Sequence, residues 1–225
     1  MQLETLLSLH PELYHMADPK NFAKILSCGL MSTEALVDLF EVTGEERVAL
    51  LSSHRPDSVR ISHPSHGVAI VRDQKPMSLG GLMRSVRDAT PEQFLEFINR
   101  RTFFWPTKAR LSRMNGARAY RHDPHVVFVV RTESIVQRHR ARILLSPMNS
   151  GATTPVPHDR SVAMFKSIEL FDFDGMKRNK LERIGELTVE GGVPDLLDHV
   201  LRVEVWAAGQ AVRTLSDPYD PSEFA

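Results

Sequence analysis

Residues 13–30 read LYHMADPKNFAKILSCGL. The first part reads as a short strand over 12–16 and the rest as a helix with well-marked ends. Asp18 suits the N-cap, because its carboxylate can accept from a free backbone N–H. Pro19 fits the first turn, and Gly29 fits the position just past the last turn. Phe22, Ile25 and Leu26 recur at helical spacing and give one buried stripe. Outward from this unit, helices are expected over about 33–42 and 45–53, and extended segments near 58–62 and 67–72. Thr90-Pro91-Glu92-Gln93 is a capping-box signature opening another helix. RTFFW at 101–105 and HVVFVVR at 125–131 read as strands. A helix near 132–140 and a strand over 142–146 follow. Strands at 186–190, 200–206 and 210–215 close the chain, with a helical turn at 194–199. Helices crowd the first half and strands the second, which predicts an α+β fold rather than regular βαβ winding.

The chain has 225 residues, 28 Lys+Arg against 28 Asp+Glu, and 42% hydrophobic residues. Such a composition excludes uniform disorder and a globally basic nucleic-acid binder. No linker splits the chain, so one domain is expected over 1–215, with a flexible tail at 216–225. SPMNSGATTPVPHDR (146–160) is the most loop-like stretch. Cys28 is the only cysteine. It excludes an intrachain disulfide and a Cys-rich zinc site, reads as a small core residue, and suits a reducing compartment. No apolar run reaches the ~20 residues of a membrane span, and the N-terminus lacks a signal peptide's basic flank and apolar core. A cytoplasmic location is the expectation.

The zero net charge conceals a segregation. Residues 1–50 hold eight acids and three bases, whereas 100–142 hold eleven bases and two acids. Ten of the eleven are Arg, whose fork of donors suits phosphate and carboxylate. The segment reads either as a face for DNA or RNA or as a solvated face paired with the acidic N-terminal third. Phosphate-cradling glycine motifs and a GxSxG elbow are absent. The pairs His63/His66 and His122/His125 lack a third ligand, so they read as surface loops and no metal is expected.

Three blocks carry a family resemblance: LYHMADPKNFAKILSCGL, RTFFW at 101–105, and IGELTVEGGVPDLLDHV at 184–200. Together they resemble the ADP-ribosyltransferases, nearest to the DarT-type toxins and their bacterial relatives. Tyr14-His15 followed by Ile25-Leu26 and Gly29-Leu30 matches the family's first strand and helix. Phe103-Phe104-Trp105 matches a later aromatic strand. Glu186, heading a strand that leads to Val193-Pro194, matches the catalytic glutamate. Arg55 and Asn149 match two further family positions. The resemblance touches most of 12–206 in short blocks. It departs at 67–77 (GVAIVRDQKPM), which has no partner in those toxins, and after Trp105, where a basic helix follows.

The resemblance implies a split β-sheet core and NAD as co-substrate. Glu186 and Arg55 would be catalytic, and His15, Tyr14, Phe103, Phe104 and Asn149 would bind NAD. Read on their own, Glu186, Thr188 and Glu190 would face out while Leu187 and Val189 face in. Alternation along 101–105 also implies that Phe103 and Phe104 cannot both face one ligand. The implied reaction transfers ADP-ribose to a macromolecule, nucleic acid favoured over protein, with a neutralising partner by family analogy. Alternatives are NAD-dependent removal of an RNA 2′-phosphate on the same fold, and an inactive binding module.

Overall fold

Short helices and strands interleave along the N-terminal two thirds of the chain in this computed structural model, which describes residues 1–224. They are α1 (Leu3–Leu9), β1 (Glu12–Ala17), α2 (Phe22–Cys28), β2 (Leu30–Met31), α3 (Thr33–Leu39), α4 (Gly44–Ser52), β3 (Val59–His63), β4 (Gly67–Val71), α5 (Leu79–Ser85), α6 (Pro91–Asn99) and β5 (Arg101–Phe104). Next come α7 (Lys108–Asn115), β6 (His125–Arg131), α8 (Thr132–His139), β7 (Ile143–Ser146), β8 (Glu186–Glu190), β9 (Gly192–Val193), β10 (Val200–Ala207) and β11 (Gln210–Thr214). The fold is α+β with antiparallel sheets, in agreement with the sequence pattern. The capping box at Thr90–Gln93 is present with both reciprocal bonds. Two helices lacked a sequence signal that was read. Of these, α5 carries Gly80-Gly81, whose low helix propensity hides it, and the Ser78 hydroxyl caps it by accepting from Gly81.

One sheet has the order β1-β6-β10-β11, the other β5-β8-β7. β6 is buried on both faces, which explains its continuous apolar run. Val126, Phe128 and Val130 point into the main core with Phe22 and Leu13, while Val127 and Val129 point into a second core with Tyr14, Leu111 and Trp206. The sheets meet where Tyr14 and Trp105 exchange two backbone hydrogen bonds, of 3.0 and 2.8 Å. The β3–β4 hairpin packs on α3 and α4 around a core of its own. Residues 147–185 run from β7 to β8 without a strand or α-helix and bury Phe165, Phe171 and Phe173.

Several sequence expectations need correction. His125 is buried in β6, its Nε2 against the Tyr120 carbonyl, rather than in a surface loop. Cys28 is half-buried at the end of α2 and lines the main cleft instead of filling the core. The tail is docked in part: Pro221–Phe224 forms a 3-10 turn and the Phe224 ring meets Phe22 edge-on at 5.0 Å. Ala225 lies outside the described residues. The charge segregation is resolved by pairing, mostly with the C-terminal third. Arg101, Arg110, Arg113, Arg138 and Arg140 face Glu190, Glu182, Asp195 and Glu169, and only Arg100 reaches the N-terminal third, at Glu34. No helix among the described residues is long and apolar enough to cross a membrane.

Two sequence blocks that lie far apart become neighbours at Gly29. Leu30 pairs with Val193, and Gly29 adopts φ +74° against the Pro194 backbone. A Cβ at Gly29 would sit 2.3 Å from the Pro194 carbonyl oxygen. Gly29→Ala therefore meets both an unfavourable dihedral and a backbone clash. It should cost at least about 2 kcal/mol in chemical denaturation.

Candidate functional site

A cleft of about 300 Å³ opens at the junction of the two sheets. β1 brings His15 and Asp18 to it, α2 brings Cys28, β5 brings Phe103, and the loop after β7 brings Asn149 and Ser150. Glu186 enters from the head of β8, and the β4 segment supplies Ala69 to Asp73 as a further wall. The volume lies at the lower end of small-molecule sites.

Glu186 is buried, not solvent-facing as simple alternation suggests, because both faces of β8 are covered. Burial pushes its carboxyl up to about 7. The opposing influences are the Ser150 hydrogen bond, with the backbone N–H donating to Oε2 at 3.0 Å, and the Arg110 and Arg160 charges. Ser150 is itself held by Arg160, whose buried guanidinium donates to the Ser150 carbonyl and, at 2.8 Å, to the Ala152 carbonyl. Gly185 lets this loop close on the strand, since a Cβ there would lie 2.4 Å from the Met148 nitrogen.

His15 donates from Nδ1 to the Phe103 carbonyl at 2.9 Å. This fixes the tautomer and leaves Nε2 as an acceptor. Burial, first, and the Arg72 charge lower its pKa to about 4, while the Phe103 carbonyl acts in the opposite sense. The ring is therefore neutral at physiological pH. Phe103 is half-buried and lines the cleft, whereas Phe104 points the other way into the main core and is fully buried. Asn149 lines the cleft too, with Oδ1 accepting from the Gly151 N–H at 3.0 Å to shape the loop.

Of the expected residues, Glu186, His15, Phe103, Asn149 and Arg55 surround one cleft, and Tyr14 and Phe104 do not. Tyr14 turns its side chain to the second core and donates from its hydroxyl to Glu12 at 2.9 Å, so its part is structural. Arg55 reaches the cleft wall, but its donors are spent on the carbonyls of Leu50 and Arg72 and on Asn99 Oδ1 at 2.9 Å. Burial lowers its pKa to about 10. It is neither a surface cation nor a free ligand for phosphate; it braces the wall.

Two further guanidiniums, of Arg72 and Arg101, line the cleft. Arg72 donates to the Met16 carbonyl at 3.1 Å and lies 4.9 Å from the Tyr120 ring centre. Arg101 is buried with Nε and Nη1 unpartnered, although Nη2 reaches Glu190 at 3.3 Å. Arg101 sits inside the RTFFW motif, so only its orientation was hidden. Arg72 falls in 67–77, the stretch without a family counterpart.

Two outcomes follow from these environments. Arg55→Ala should destabilise by about 3 kcal/mol, because it strands buried carbonyls, and thermal melts will register it. For Glu186 the folded-state pKa lies above the unfolded value, so the native state holds a proton that the unfolded state has lost between about pH 4.5 and 7. Stability from this group therefore falls as pH rises through that window. Glu186→Gln should recover about 3 kcal/mol at pH 8 and little at pH 4, which melts at both values will read.

The sequence matches the model of a family described as "Family of unknown function (DUF7002)" over residues 11–200. No curated protein matches it, and neither does any solved structure.

Proposed function

The chain belongs to that family, and we propose that it is an NAD-dependent ADP-ribosyltransferase acting on a macromolecular acceptor. The observation that carries this reading is the pairing of Glu186 with His15 across one cleft: a buried carboxyl with a pKa near 7, and a neutral imidazole whose free nitrogen is an acceptor. His15 Nε2 would accept from a ribose hydroxyl. Phe103 would lie against the nicotinamide. Arg72, in place of the engaged Arg55, would face the diphosphate as a cation, with the donors left over from the Met16 carbonyl and His125 Nδ1.

In the reaction, the bond between ribose C1′ and the nicotinamide nitrogen breaks. Its electron pair returns to the ring, which leaves neutral. Positive charge develops on C1′ and the ring oxygen, as in glycoside cleavage. Ionised Glu186, itself buried, stabilises that charge. A lone pair of the acceptor then forms the new bond to C1′. The acceptor proton passes to Glu186, whose pKa near 7 suits accepting and releasing it. Nucleic acid is the favoured acceptor class: Lys108, Arg118, Arg121 and Arg131 have no carboxylate partner among the described residues, and Arg118, Arg121 and Arg131 are exposed. The lone half-buried thiol fits a reducing, cytoplasmic setting.

The test is nicotinamide release from NAD with DNA, RNA and protein supplied separately. Glu186→Gln should lower the rate about 100- to 1,000-fold without lowering the melting temperature. His15→Ala should raise KM more than it lowers kcat. The wild-type rate should climb with pH through about 7 as Glu186 ionises. Equal activity in Glu186→Gln and wild type, or no nicotinamide release with any acceptor, would sink the assignment.

A further inference from the structure

Outside the cleft lining, three side chains converge that the proposed reaction does not use. His139 ends α8, Asp195 follows Pro194, and His199 ends the 3-10 turn Leu196–His199. Asp195 and His199 are four residues apart, while His139 comes from a separate helix, so no local motif announces the group. Their ligand atoms all lie within 4.8 Å of one another.

The group is poorly satisfied as a set of hydrogen bonds. His139 Nε2 lies 2.8 Å from Asp195 Oδ1, yet the ring N–H direction misses the oxygen and both atoms are without a hydrogen-bond partner. His199 is more than nine-tenths buried with neither ring nitrogen partnered, and its Nε2 stands 3.5 Å from Asp195 Oδ2. A buried imidazole without any partner costs about 1–3 kcal/mol, so an isolated arrangement of this kind is unfavourable. Donor atoms that crowd together without satisfying one another can be shared by one cation.

We propose that His139, Asp195 and His199 hold one divalent transition cation of the zinc class. Two imidazoles and one carboxylate are a donor set that suits this class. With bonds of about 2.0–2.2 Å, a cation between them would set the donors roughly 3–3.5 Å apart. That needs only small shifts from the observed separations. The open surface pocket lined by His139, Arg142 and Asp195 leaves a side free for a further ligand such as water.

Arg142 sets the terms of binding. Its Nη2 lies 2.6 Å from His139 Nδ1, and its Nη1 donates to the Glu190 and Gly192 carbonyls. Ligation through Nε2 moves the His139 proton to Nδ1, so Nη2 must turn away while Nη1 keeps its carbonyls. The Arg142 guanidinium, and that of Arg138 at 3.3 Å from Asp195 Oδ2, also repel a cation. Moderate affinity follows. The site would tie the end of α8 to the Val193-Pro194 turn that presses on Gly29.

Calorimetric titration of the full chain with Zn²⁺ in chelator-free buffer should show one saturable equivalent, and Co²⁺ should give visible d–d bands. His199→Ala should weaken Zn²⁺ binding at least about tenfold, with circular dichroism confirming its fold. Asp195→Asn serves if the alanine variant does not fold. No saturable uptake by wild type, absence of Co²⁺ bands, or unchanged affinity in the folded variant would overturn the proposal. Nicotinamide release plays no part in these readouts.

Discussion

Two backbone hydrogen bonds between Tyr14 and Trp105 hold the rest of the architecture to its cleft. They join a sheet centred on β6 to one centred on β8. The neighbouring residues then have no freedom of placement. His15 follows Tyr14 and faces the opposite side of its strand, where its Nδ1 meets the Phe103 carbonyl. Leu187 pairs with Phe104, so Glu186 falls beside the same junction. One seam thus fixes an imidazole and a carboxyl from residues 171 positions apart in the sequence.

The seam works because both sheets are anchored independently. β6 is sandwiched between two apolar layers, and the second of these includes the Trp206 ring, whose Nε1–H donates to Glu204 at 2.7 Å. Arg202 bridges Glu204 to Glu12 on β1. On the other side, the irregular segment that Arg160 gathers meets buried Glu186 through Ser150. The burial that raises the Glu186 pKa is therefore a product of a long loop, not of the strand that carries the residue.

Much of the fold was legible because its signals are local. Caps, the β6 apolar run and the RTFFW strand depend on adjacent residues. Orientation was less legible. Alternation separated Phe103 from Phe104, but it could not say that both faces of β8 are covered, and so it exposed Glu186 on paper. Arg55 shows the same limit, since its partners Leu50, Arg72 and Asn99 lie 5, 17 and 44 positions away. Helix α5 was obscured by its glycines, and Arg72 by belonging to a stretch without a family counterpart. The basic segment looked like a free charged face because its carboxylate partners come mainly from residues 169–195.

The position of Cys28 has a practical side. It is the only thiol in the chain, it is half-buried, and it stands on the cleft lining one residue before the glycine that fits against Pro194. A thiol-directed fluorophore would attach at a single place without any engineered cysteine. Its emission would respond to what enters the cleft, giving a binding signal independent of turnover.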